Sequence, residues 1–132
     1  MPNSSGVPSS NSVQFFKQAI CKHTAVESVG ERSGNAFVID RKEHSSVLVY
    51  LTDIYTVGIA DVIEAMDQIP GLNCIVTISN WNGYTQAAKE HGVENQIGVF
   101  VFAELMGALN RSDIHTYVQR DGDGNPVYHY RG

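Results

Sequence analysis

Between Thr77 and Ala88 the chain reads Thr-Ile-Ser-Asn-Trp-Asn-Gly-Tyr-Thr-Gln-Ala-Ala, a run of hydroxyls, amides and two aromatic rings. It follows a β-branched apolar segment, so Ser79, Trp81, Asn82, Tyr84 and Thr85 are expected at the carboxyl end of a strand. Open α/β sheets tend to bind ligands at that end. Trp81 and Tyr84 offer ring faces that stack on a base or on a partner's side chain; the plainer reading makes Tyr84 a core residue and Trp81 a cover for the sheet edge. A second group is Asp40-Arg41-Lys42, an acid, a spacer and a lysine, with Glu27 and Glu31 upstream and Asp53 downstream. Carboxylates that converge can hold Mg²⁺. The plainer reading of this group is a solvated turn with routine surface charge.

The remaining candidates are weaker. Asp121-Gly122-Asp123-Gly124-Asn125 has the look of a calcium loop, but a bidentate glutamate belongs at its twelfth position, where this chain has Gly132. A hairpin turn is the better expectation. His115 and His129 would face each other across that hairpin, and two ligands are too few for a metal. Cys21 and Cys74 lack metal spacing and read as small buried hydrophobes. There is no glycine-rich phosphate loop, no Gly-x-Ser-x-Gly elbow and no Cys/His nucleophile pair.

The elements that must position these groups follow from periodicity. Residues 1–11, rich in Ser, Asn, Pro and Gly, read as a disordered leader, and 12–132 as a single α/β domain. Ser12 can cap a helix carrying Val13, Phe16, Ala19 and Ile20. The stretch 27–35 reads as a loop or frayed helix end. A strand over 36–39, a charged turn over 41–45 and a second arm over 47–55 make a hairpin. Ile59, Val62, Ile63, Met66 and Ile69 fall on one face of a helix over 58–69, stopped by Pro70-Gly71. A strand over 75–78 is expected to be buried on both faces. A short helix over 84–91 stops at Gly92, a strand runs over 97–102 and a helix over 103–109. The tail, 114–130, is expected to form a C-terminal β-hairpin. The alternation implies a mixed central sheet flanked by helices.

With that layout, the stretch from about residue 27 to 109 resembles the restriction-endonuclease-like (PD-(D/E)XK) superfamily, in particular its Mrr-like branch. Thr77, Ser79, Tyr84, Thr85 and Ala88 match its Thr/Ser phrase with a small insertion, and Phe102-Ala103-Glu104-Leu105 to Leu109 matches its terminal element. The resemblance implies a first-strand acid at Asp40 and a helix acid at Glu27 or Glu31. It also implies an acid, any residue and a lysine on the next strand. Tyr50 and Thr52 occupy those last two positions, so the catalytic motif is degenerate. In such enzymes carboxylates hold Mg²⁺ and the lysine stabilises charge at phosphorus. If the chain is nevertheless active, the set implied is Asp40, Asp53, Lys42 and Glu27, with Asp40 and Asp53 as metal ligands.

A net charge of −5 argues against a general nucleic-acid binder. No apolar run reaches the roughly 18 residues of a membrane span. The N-terminal residues lack the charged-then-apolar order of a secretory signal, and the expectation is a cytoplasmic location. The leading expectation is therefore a nuclease-fold protein that no longer cleaves. It would need no cofactor and would act by binding a protein partner or a second copy of itself, in preference to nucleic acid, in a DNA-processing or defence system. A tail strand at 114–118 would offer an edge for dimer formation. The alternatives are an active Mg²⁺-dependent endonuclease of the Mrr-like type and a non-nuclease α/β interaction or inhibitor domain.

Overall fold

Five strands make the central sheet in the computed structural model, which describes residues 6–131. In chain order the elements are α1 (Ser10–Cys21), β1 (Val26–Glu31), β2 (Ala36–Arg41), β3 (Val47–Thr52), β4 (Thr56–Val57), α2 (Ile59–Gln68), β5 (Cys74–Thr77), β6 (Gly83–Tyr84), α3 (Gln86–Glu94), β7 (Gly98–Val101), α4 (Phe102–Ala108), β8 (Gln119–Arg120) and β9 (Pro126–Val127). The large sheet runs β1-β2-β3-β5-β7, antiparallel across β1–β2–β3 and parallel across β3–β5–β7. The strand that begins at Val47 is central and lies beside the one that begins at Cys74.

Strand periodicity divides the core in two. Val47, Val49 and Leu51 join Cys74 and Val76 on the face covered by α1 and α4, where Phe16, Ile20, Leu105 and Leu109 pack. Tyr50, Ile75, Val99 and Val101 turn to the other face, under Val62 and Ala65 of α2 and Ala88 of α3. Every residue of β5 and β7 is buried, as parallel strands with helices on both sides require. Burying each large apolar side chain is worth about 1.5–3 kcal/mol. Among the described residues, no helix is long and apolar enough to cross a membrane.

Several expectations are corrected. The stretch read as a loop is the edge strand β1, with a 3-10 turn at Ser33–Asn35. Its outer positions face solvent, so no apolar alternation marks it; pairing with β2 makes it a strand. Residues 1–5 of the expected leader lie outside the described residues. The rest of it is placed: the Gly6 carbonyl accepts from Asp53 N, and Ser9, not Ser12, caps α1. On α2 the buried stripe is Val62 and Ala65, and Ile59 and Ile63 are exposed. Tyr84 lies in β6, where it pairs with Val57 of β4; Thr85 caps α3, and that helix runs through Gly92. A side chain at Gly92 would strike the Ile97 carbonyl, so this glycine marks close packing and not a stop. Ile114–Thr116 form a 3-10 turn with Ile114 buried, so no tail strand over 114–118 is available for pairing. The C-terminal hairpin shrinks to β8 and β9. Cys21 is exposed and only Cys74 is buried, where desolvation pushes its thiol well above the ordinary range.

Candidate functional site

At the carboxyl end of β3 the chain leaves the sheet as Thr52-Asp53-Ile54, beside the end of β5 at Thr77. Asp53 is only 8% exposed. Its carboxylate accepts from Asn82 Nδ2 at 2.7 Å and from Ser79 N at 3.3 Å. Asn82 Nδ2 also donates to Thr77 Oγ1 at 2.8 Å, and Thr77 Oγ1 donates to the Ile54 carbonyl at 2.6 Å. Asn82 Oδ1 is buried without a hydrogen-bond partner. The amide cannot simply be turned over, because its oxygen would then face the Asp53 carboxylate. Much of the Thr77–Ala88 phrase is thus spent inside the protein: Ser79 and Asn82 hold Asp53, Tyr84 is core and Thr85 caps a helix. Trp81, 46% exposed, is the member of that set free to meet a partner.

The other expected acids lie elsewhere. Asp40, on β2, accepts from Ser46 Oγ at 2.6 Å and Ser28 Oγ at 2.9 Å, and these bonds hold its carboxyl below the ordinary range. Ser46 precedes β3 and Asp53 follows it, so the two acids lie at opposite ends of one strand. Seven residues at about 3.3 Å each put them roughly 20 Å apart. Lys42 is exposed just beyond Asp40, at the end away from Asp53, and its backbone amide bonds to the Ala25 carbonyl. Glu27 is exposed where the β1–β2 register slips, and Glu31 pairs with Lys17 at 3.0 Å. The structure therefore does not bring Asp40, Lys42, Asp53 and Glu27 together. Among the described residues, no three His, Cys, Asp or Glu side chains gather as a metal site would need.

Register locates what a cross-strand site would contain. Tyr50 lies opposite Ala36, and the next position on that face, Gly34, belongs to the 3-10 turn. No acid stands beside the Tyr50 and Thr52 positions on β2. Tyr50 is half-buried, and its hydroxyl titrates higher than usual because of burial first, then the charges of Glu64 and Asp61 on α2. This end of the sheet presents carboxylates where a polyanion would need cations.

The sequence missed a second polar centre. Glu104, fully buried at the start of α4, accepts from Tyr84 Oη at 2.7 Å and Lys89 Nζ at 3.0 Å, and its other oxygen takes Val101 N at 2.9 Å. Lys89 also donates to the Val99 carbonyl at 2.7 Å and lies 4.6 Å from the ring centres of Tyr84 and Phe100. Burial lowers the lysine's pKa against the opposing pull of Glu104, and burial raises that of Tyr84. The available signal was Lys89 itself, on the buried stripe of α3 with Ala88 and Gly92. Its charges are satisfied internally, so its role is structural.

His115 and His129 do not face each other across a hairpin. His115 sits in the 3-10 turn and His129 bonds Gln119 Oε1 at 2.8 Å. The Asp121 carboxylate accepts from Asp123 N and Asn125 N, both at 2.9 Å, as a turn requires. No family model, characterised protein or solved structure matches the chain.

Proposed function

We propose that the chain is a restriction-endonuclease-like scaffold of the Mrr-like type that does not cleave and that works by binding a protein. The sheet order, with a hairpin leading into parallel strands, supports the fold assignment. The observation that carries the functional reading is the cross-strand pair Ala36 and Tyr50: the two positions where acids would have to share a metal hold a methyl group and a phenol. Asp40 cannot stand in, since it sits about 20 Å from Asp53 along β3. Losing one comparable electrostatic group costs about 10²- to 10³-fold in rate, and here the acid, its partner and the lysine are all missing from one place.

Binding is supported by the surface near that end. Ile59 and Ile63, four residues apart on α2, form an exposed apolar stripe. Tyr55 and Trp81, also exposed, flank the neighbouring β4–β6 pair. Asp61 and Glu64 beside Tyr50 favour a protein partner or a second copy over nucleic acid. Incubation with single- and double-stranded DNA and with RNA, in Mg²⁺ or Mn²⁺, should give no turnover above that of the Asp40→Ala variant. Robust cleavage abolished by Asp40→Ala would overturn the reading.

A further inference from the structure

A groove of about 500 Å³ runs between α3 and the chain's last described residues, on a different part of the surface from the Asp53 cluster. Its volume is that of a small-ligand or side-chain pocket, and its walls are largely apolar: Val93, Tyr117, Tyr128 and Tyr130. Tyr128 and Tyr130 stack with ring centres 4.9 Å apart and planes within 12°, yet stay 41% and 43% exposed. A stacked aromatic pair left in solvent beside Val93, itself exposed, is surface that a ligand would cover.

Charge selects the ligand. The α3 wall carries Glu90 and Glu94. Among the described residues Glu90 accepts only from the neutral Gln86 amide, and Glu94 has no hydrogen-bond or ionic partner. Lys89 reaches the groove but is neutralised by Glu104. Cations already sit on other tyrosine rings of the fold: Lys89 on Tyr84 at 4.6 Å, Arg131 on Tyr55 at 5.2 Å and Arg111 on Tyr117, itself a wall of this groove, at 5.5 Å. Tyr128 and Tyr130 have no such cation among the described residues.

We propose that this groove binds an arginine side chain of a protein partner, with the guanidinium lying on the Tyr128–Tyr130 stack and its N–H groups directed to Glu90 and Glu94. A planar guanidinium can stack and donate to two carboxylates at once, which a lysine ammonium cannot do. The aliphatic stem would lie against Val93 and Tyr117. The assignment stands on the groove alone and does not depend on whether the sheet end has lost cleavage.

The test is titration of the ¹⁵N-labelled chain with N-acetyl-arginine methylamide, followed by amide shifts, against the neutral citrulline analogue. Saturable shifts are expected at Val93, Glu94, Val118, Tyr128 and Tyr130, with citrulline about tenfold weaker. The Glu90→Gln/Glu94→Gln variant and, separately, Tyr128→Leu alter exposed groups and should fold normally while weakening binding by about fivefold or more. An equal response to citrulline would overturn the proposal. So would shifts spread evenly over Asp61, Glu64 and Asp67, or a double variant that binds as well as the parent. Any of these leaves the non-cleaving reading untouched, since that rests on the nuclease assay.

Discussion

Two buried carboxylates, Glu104 and Asp53, stand at the ends of parallel strands of the same sheet and are handled in opposite ways. Glu104 is sealed in with a cation, a phenol and a backbone amide. Among the described residues the Asp53 carboxylate is met only by amide groups, from Asn82 and Ser79, and it keeps slight access to solvent. A charge fully removed from water needs an opposite charge, whereas one at the rim is held by dipoles and residual hydration. The contrast teaches that the deeper carboxylate is balanced by a charge, and the one at the end of β3 by dipoles alone.

The contrast can be broken most forcefully at Lys89. Lys89→Met leaves Glu104 buried and unpaired and should cost about 3–5 kcal/mol in urea unfolding, most of it recovered in Lys89→Met/Glu104→Leu. A single variant no weaker than a surface substitution would mean Glu104 is not held as an ion. Asp53→Ala removes an acceptor from Asn82 and Ser79 and should cost about 1–3 kcal/mol, while Asp53→Asn, keeping an oxygen there, should cost less. Equal losses would show that charge, not hydrogen bonding, matters at the rim. The smallest effect belongs to Asp40, whose carboxylate is held by the hydroxyls of Ser28 and Ser46 at the surface. Its depressed pKa adds stability above the unfolded carboxyl's pKa, and that contribution disappears as pH falls through the folded one. Ser46→Ala should raise the Asp40 pKa, read by carboxyl NMR, and the stability gap between variant and parent should close in acid.

The central strands were legible because Val47–Leu51 and Cys74–Val76 are continuous apolar runs, and such runs have few places to go but the middle of a sheet. Edge strand β1 was not, since Glu27, Ser28 and Gly30 face water and only backbone pairing defines it. The Thr/Ser phrase stands out in the sequence, but its use could not be read from it: a threonine that caps and an asparagine that props an aspartate look, as letters, like ligands. Asp40 misled for a related reason. Adjacency in sequence to Lys42 suggested a site, while register places both at the far end of β3 from Asp53.

Arg41, 8% exposed, donates from its guanidinium to the carbonyls of Ser45, Leu109, Arg111 and Ser112 and meets no carboxylate among the described residues. The hairpin between β2 and β3 is complete in local sequence, but its turn encloses a cation three of whose four acceptors, the carbonyls of Leu109, Arg111 and Ser112, come 68 to 71 residues later. During synthesis that arginine would have to stay hydrated until the segment after α4 emerged. The hairpin's final packing is thus timed by the arrival of the chain's last quarter, which couples an early, local motif to completion of the whole domain.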